Sequence, residues 1–302
     1  MKAIVIHHYG GPEVLKLEDY ADPVAGTGEV LVRVAAAGIN PVDTFERAGL
    51  TKDYKPVKFP GVLGWDLAGT VVAVGPGAEA FSVGDKVLAW AYHTYAELCA
   101  VKVALLAKVP DGLDLVEAAA LPLVTATGSQ LISVASGPKA GQTVLVSGAL
   151  GGVGRSAVFT AKDRGAVVIA GVRKTQLEAA MSLGADQVVA IDDDDALDAI
   201  APVNVVANTV RGPTAQRLLG KVKQGGIYAS VTGAPDNAQD FPSIRLVPFV
   251  SKQDASGLRH MAQAVSSGKL IIPIDRRLPL KDAAKGHAAV ENGVAGKVLL
   301  LP

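Results

Sequence analysis

One cysteine, Cys99, stands in 302 residues, so no intrachain disulfide can form and a reducing compartment, the cytoplasm, suits the chain. Net charge is also missing. Lys plus Arg and Asp plus Glu both number 29, which leaves no overall field to draw the protein onto nucleic acid or an anionic membrane surface. Any anion site must therefore be local. No apolar run approaches the roughly 18 residues of a membrane span, and the stretch Ala3-Ile4-Val5-Ile6 before His7 and His8 is too short for a signal-peptide core. It reads as a first strand. What remains is a chain with 49% hydrophobic and 19% charged residues, an ordinary globular composition long enough for two lobes.

Residues 1 to about 110 are rich in Val, Gly and Pro, with short runs such as Glu29 to Ala36 and Leu67 to Val74 between turn residues. This predicts a mostly β lobe with one short helix over Pro41 to Ala48, where Pro suits a first helical position. From about Leu113 strand runs alternate with helical stretches. Strands are expected at Thr143 to Ser147, Val167 to Ala170, Gln187 to Ile191, Asn204 to Ala207 and Gly226 to Val231. Their near-continuous apolar character suits a parallel sheet covered on both faces. Helices are expected at Val153 to Arg164, Gln176 to Leu183, Pro213 to Val222 and Gly257 to Ser267. A last helix around Lys281 to Glu291 and a strand Lys297 to Leu301 would return to the first lobe, which sets the domains at 1–115 with 273–302 and at 116–272. The acidic run Asp192 to Asp195 reads as a solvated turn and helix start.

The strand Thr143 to Ser147 leads directly into Gly148-Ala149-Leu150-Gly151-Gly152-Val153-Gly154 and then into a helix. A dinucleotide pyrophosphate needs bare backbone at such a helix start, where free N–H groups and the helix dipole make an anion site. The spacing is G-x-x-G-x-x-G rather than G-x-G-x-x-G. About 20 residues on, where NAD-binding folds place an acidic residue on the ribose, the chain reads Ala170-Gly171-Val172-Arg173-Lys174. Two cations in place of a carboxylate fit the 2′-phosphate of NADPH, the expected cofactor. The five histidines, His7, His8, His93, His260 and His287, show no metal-ligand spacing.

With these pieces, in this order, the chain resembles the zinc-independent quinone oxidoreductase (zeta-crystallin-like) branch of the medium-chain dehydrogenase/reductase superfamily over nearly its full length. The pieces that carry the resemblance are Gly38-Ile39-Asn40-Pro41-Val42-Asp43, Gly64-Trp65-Asp66-Leu67-Ala68-Gly69, Val83-Gly84-Asp85-Lys86-Val87, Tyr95-Ala96-Glu97, Leu121-Pro122-Leu123-Val124, the glycine loop, Leu183-Gly184-Ala185-Asp186 and Gly296-Lys297-Val298. The resemblance implies an α/β protein: a GroES-like, mostly β catalytic lobe plus a Rossmann domain with a doubly wound parallel sheet, commonly as a homodimer. It also implies NADPH-dependent hydride transfer to a quinone or an α,β-unsaturated carbonyl. Zinc-using relatives have Cys where this chain has Asn40 and His where it has Trp65, so a tetrahedral Cys/His site has no ligands here.

Asn40, Trp65 and Thr127 are carried over to the acceptor end, and Tyr54 or Lys52 is added to them from positions that match no tight motif. Asn40 is a candidate donor to the acceptor oxygen, or else an Asx turn with Pro41. Trp65 is a flat wall for a planar acceptor or a core side chain; Tyr54 or Lys52 is a candidate donor or a surface residue; Thr127 follows Leu121-Pro122-Leu123-Val124 near the nicotinamide. The cofactor contacts implied are Gly148, Leu150, Gly151, Gly152, Val153, Gly154, Arg173, Lys174, Asn208, Val231 and Thr232. Asp43 is a helix-ordering residue and Cys99 a small core residue. The rival readings are an enoyl-thioester reductase and a non-catalytic, crystallin-like NADPH-binding protein in contact with RNA, against which the balanced charge argues.

Overall fold

The computed structural model describes residues 1–302. Two compact units emerge, one from Met1–Leu123 with Gln253–Pro302 and one from Val124–Lys252.

The first unit begins with β1 (Lys2–Ile6), β2 (Lys16–Asp19), β3 (Glu29–Ile39), α1 (Pro41–Arg47), β4 (Gly61–Val62), β5 (Asp66–Val74), β6 (Lys86–Trp90), β7 (Leu98–Lys102), β8 (Leu106–Lys108) and α2 (Leu115–Ala118). Alternating burial along β3 turns Val30, Val32 and Val34 into the core, while Arg33 stays outside. Helix α1 starts where Asn40 holds an extended conformation, Pro41 takes the first helical position, and Asp43 Oδ2 accepts the Asn40 N–H at 2.7 Å. Helix α3 (Pro122–Gln130) runs across the point where the chain passes into the second unit.

The second unit carries β9 (Thr143–Ser147), α4 (Gly152–Asp163), β10 (Val167–Val172), α5 (Leu177–Ala180), β11 (Gln187–Ala190), α6 (Asp194–Asp198), β12 (Val203–Asn208), α7 (Pro213–Leu219), β13 (Val222–Ser230) and β14 (Arg245–Pro248). These six strands form one parallel sheet in the order β11-β10-β9-β12-β13-β14. That is the doubly wound Rossmann order, whose strand order reverses between β9 and β12. The middle strands are buried on both faces, with Val144, Leu145, Val146, Val168 and Ala170 all in the core.

The chain then returns to the first unit as α8 (Ala255–Ser266), β15 (Ile274–Pro279), α9 (Ala283–Glu291) and β16 (Lys297–Leu301). The seven-stranded sheet there runs β15-β16-β3-β5-β6-β8 with β7 beside β3, and a smaller sheet runs β2-β1-β4.

Three expectations need adjusting. Residues 253–272, read from sequence as part of the cofactor domain, go with the first unit: α8 buries Leu258, Met261 and Ala262, packs on β8, and Ser266 Oγ donates to Asp111 O at 2.6 Å. The helix expected over Gln176 to Leu183 breaks into α5 between two 3-10 turns, the second ending on left-handed Gly184. The helix expected to run from Pro213 to Val222 stops at Leu219, because Val222 already pairs with Val203 in the sheet.

Candidate functional site

In the second unit the glycine loop connects β9 to the start of α4. Gly148 turns the chain at φ +61°, and a side chain there would meet Thr209 Oγ1 at 2.4 Å. Gly154 lets α4 close on the strand, since a Cβ would sit 2.2 Å from Gly148 O. A Cβ on Gly152 would lie 3.1 Å from Val124, and Leu150 and Val153 are half-buried, with Leu150 O accepting Arg155 Nε at 3.0 Å. Gly151 is different. Its backbone is ordinary (φ −71°, ψ 161°), and its Cβ would meet nothing nearer than Gly148 O at 3.4 Å. The space above Gly151 is therefore open, and no side chain caps α4, so its first N–H groups face that space unused.

At the end of β10, Arg173 is exposed and its guanidinium has no partner; its N–H donates to Gln176 Oε1 at 3.2 Å and its carbonyl accepts the Gln176 N–H at 2.8 Å. Lys174 is committed elsewhere. Its Nζ lies 2.6 Å from Asp193 Oδ2 and its N–H donates to Asp192 Oδ1 at 2.7 Å, and the Asp193 hydrogen bond holds its pKa above the usual lysine value. The acidic run is thus a helix start, with Asp193 Oδ1 accepting the Ala196 N–H at 3.1 Å, and also a local neutraliser of Lys174.

The strand ends beyond β12 and β13 are joined through Asn208 and Thr232. Asn208 is fully buried, with Oδ1 accepting Ser147 Oγ at 2.9 Å and Nδ2 facing Val210 O, Ser230 Oγ and Thr232 Oγ1 at 2.8 to 3.1 Å. Thr232 Oγ1 lies 2.9 Å from Val210 O, and Val231 donates its N–H to Asn208 O. These side chains knit the ends of β9, β12 and β13 together, and Thr232 also lines a cavity with Arg211, Gly212 and Gly233. Thr127 Oγ1 pairs with Ser251 Oγ at 2.8 Å.

The first unit holds a buried polar cluster around Asn40. Asn40 is 0% exposed, its Nδ2 donates to Asp66 Oδ2 at 2.8 Å, and its Oδ1 accepts from Lys297 Nζ at 2.6 Å. Lys297 also reaches Asp66 Oδ2 at 3.1 Å, and Asp66 Oδ1 accepts the Leu123 N–H at 2.8 Å. The amide is thus a buried brace, its oxygen taken by Lys297 and one of its two Nδ2 hydrogens by Asp66. Burial pushes the Asp66 carboxyl up, with the Lys297 ammonium opposing it.

Asp43 does more than order α1. Its Oδ2 accepts from both Asn40 N–H and Tyr95 OH (3.0 Å), while its buried Oδ1 has no partner. Burial pushes its pKa up to about 8. Tyr95 OH also meets His287 Nε2 at 3.3 Å, and His287 Nδ1 faces Arg47 at 3.5 Å. That pattern suits a neutral imidazole, and burial with the Arg47 guanidinium alongside pushes its pKa down to about 3.

A second cluster surrounds Trp65. Its ring stacks on Trp90 (5.8 Å, 22°) and meets Tyr92 edge-on (5.2 Å, 86°), while its Nε1 donates to Glu46 Oε2 at 2.8 Å. Lys55 Nζ lies 2.9 Å from Glu46 Oε1, 3.7 Å from the Trp65 centroid and 4.1 Å from that of Tyr92. Tyr54 is 77% exposed and Lys52 is exposed, and neither joins this cluster. Cys99 is buried in β7 against Tyr92 O, its thiol pushed up to about 12 by burial. Sequence reasoning missed Lys55, Glu46, Trp90, Asp66 and Lys297. For Asp66 and Lys297 a signal existed, a charge at the head of the otherwise apolar runs Leu67-Ala68 and Val298-Leu299-Leu300. Lys55 carries none.

Residues 26–111 match the family described as Alcohol dehydrogenase GroES-like domain, and residues 183–300 match that described as Zinc-binding dehydrogenase. A quinone oxidoreductase of Lama guanicoe is 33% identical over 100% of this chain and 97% of its own. The chain belongs to the medium-chain dehydrogenase/reductase superfamily. Within that superfamily it is also similar to an NADPH-dependent alkenal/one oxidoreductase, chloroplastic, of Arabidopsis thaliana, 32% identical over 100% of this chain and 80% of the relative. Among solved structures, the Escherichia coli quinone oxidoreductase complexed with NADPH superposes with a TM-score of 0.88 at 27% identity, covering 100% of both chains. Unlike the description Zinc-binding dehydrogenase, the side chains here include no group of three or more His, Cys, Asp or Glu arranged to hold a metal ion, and no helix is long and apolar enough to cross a membrane.

Proposed function

We propose that this member of the superfamily uses NADPH to reduce quinones or α,β-unsaturated carbonyls without zinc. The observation that carries the reading is the open space over Gly151 at the uncapped start of α4, in a parallel sheet of Rossmann order. In this reading the N–H groups of Gly152, Val153 and Gly154 take the pyrophosphate, and the unpaired Arg173 takes the 2′-phosphate. When bound, NADPH supplies a hydride. The protein supplies placement: the Asn40–Asp66–Lys297 brace fixes the start of α1, and Trp65 offers a flat wall to a planar acceptor. Cofactor and acceptor are small molecules, and we read the protein as a cytoplasmic homodimer.

The test is turnover. NADPH consumption is followed with a panel of quinones, enones, enals and enoyl thioesters, before and after exhaustive chelation. Quinones or enones should be reduced at a rate that chelation leaves unchanged. Activity that is lost on chelation and restored by zinc, or confined to the thioesters, would overturn the reading.

A further inference from the structure

The cage around Lys55 gives that side chain more order than a surface lysine needs. Glu46 is buried on α1 and spends one carboxylate oxygen on Trp65 Nε1 and the other on Lys55 Nζ, so one residue fixes both the wall and the cation. The ammonium lies over the Trp65 face and against Tyr92, with its side chain still 30% exposed. Three N–H donors leave the group and one is used by Glu46. Trp65 is the residue that, by the sequence resemblance, stands in the place of a zinc-ligating histidine. A fixed positive charge therefore sits beside the position where related enzymes keep a Lewis acid, and a developing oxyanion needs such a charge.

We propose that the Lys55 ammonium, held by Glu46 against Trp65 and Tyr92, binds the carbonyl oxygen of the acceptor and delivers the proton to it. This rests on the proposed reductase activity. In the step, hydride from NADPH forms the new C–H bond at the β-carbon of an unsaturated carbonyl. The C=C electron pair moves to the adjacent C–C bond, and the carbonyl pair moves onto oxygen. A Lys55 N–H bond then breaks with its electrons left on nitrogen, the proton forms the O–H bond of an enol, and the enol becomes the saturated ketone. Water returns the proton to the neutral amine. Burial lowers the Lys55 pKa while Glu46 opposes that shift, which suits a donor that must part with its proton. The titratable groups facing Lys55 are Glu46, Tyr92 and, further off, Asp43. Tyr92 is held above its usual value by burial and by Glu46, so Lys55 has no tyrosinate at its side at neutral pH.

The test compares Lys55→Met, Lys55→Arg and Glu46→Gln with the parent in kcat, KM, NADPH dissociation constant, melting temperature and pH–rate profile. A proton donor acts only while protonated, so parent kcat should fall as pH rises through the Lys55 pKa. Lys55→Met should lower kcat about 100-fold with NADPH affinity unchanged. Lys55→Arg should keep KM near the parent's but lower kcat, and its activity should no longer fall at high pH. Glu46→Gln should move the falling limb to lower pH. A role confined to packing predicts instead that Lys55→Arg restores full kcat with the limb unmoved, and that result overturns the proposal even if Lys55→Met fails to fold. A parent that consumes NADPH with no acceptor would overturn the reductase reading and this inference with it. An active parent whose Lys55→Met variant keeps its kcat would overturn the inference alone.

Discussion

The two units build their sites from different materials. In the second unit the cradle at α4 is backbone: open space over Gly151, unused N–H groups, and one free cation at Arg173. In the first unit the clusters are side chains drawn from far apart in the chain, with Asn40 at the start of α1, Asp66 on β5 and Lys297 on β16, and Trp65, Glu46, Lys55 and Tyr92 around a second centre. A backbone site is local, so its demands are written in consecutive residues. A side-chain site is assembled by the fold, and each member is an ordinary residue until its neighbours are known.

If the first unit depends on paired charges, breaking one pair should have the largest effect. Asp66→Ala leaves the Lys297 ammonium buried with Asn40 Oδ1 as its remaining partner, a loss of about 3–5 kcal/mol of stability by denaturant unfolding. Adding Lys297→Met should recover much of it. A single variant that unfolds at the parent's midpoint would show that the cluster is not held by charge.

Stability against pH sharpens the same contrast. Asp43 has a folded pKa of about 8, above its unfolded value near 3.8, so its contribution is full below the unfolded value and is lost as pH rises through 8. His287, lowered to about 3 from 6.5, works the other way: its contribution is present above 6.5 and is lost as pH falls toward 3. Between about 4 and 6.5 the two slopes offset each other. From 6.5 to 8 Asp43 acts alone, which predicts a fall of about 2 kcal/mol at about 1.4 kcal/mol per pH unit. Asp43→Asn should flatten that fall; a parent curve level over this window would contradict the assignment.

The cofactor side should respond more gently, in affinity and not in stability. Arg173→Ala should cost NADPH about 1.5 kcal/mol, the low end for a charged hydrogen bond because the site is exposed, or about tenfold in affinity relative to NADH. Lys174→Ala should change the ratio less, since Asp193 already holds that ammonium. Equal ratios in parent and Arg173→Ala would remove Arg173 from the site.

The same contrast explains what the sequence made legible. Strands β9 and β16 lie within the expected bounds, Thr143 to Ser147 and Lys297 to Leu301, because a buried strand must be a continuous apolar run and the run ends where burial does. The glycine loop was legible for the same local reason. Asn40 was legible but its brace was not, since nothing within Gly38 to Asp43 announces that Asp66 and Lys297 will close on its amide. Asn208 and Thr232 stand out by their place at strand ends, but the hydrogen bond that joins them belongs to the fold and is not written in either segment. Tyr54 or Lys52 is the candidate donor that the sequence offers, and Lys55 is not; the turn after α1 leaves Tyr54 and Lys52 exposed and sets Lys55 against Trp65. One residue of offset in a turn is beyond what pattern can decide.

The central claim, that bare backbone at the start of α4 receives the cofactor, is tested most directly by titrating the parent and Gly151→Val with NADPH while recording their melting curves. Valine suits φ −71° and ψ 161° and finds open space, so the account predicts an unchanged melting temperature in the absence of cofactor. It also predicts loss of NADPH binding, because the isopropyl group fills the space the pyrophosphate needs. A Gly151→Val protein that binds NADPH as tightly as the parent would contradict it.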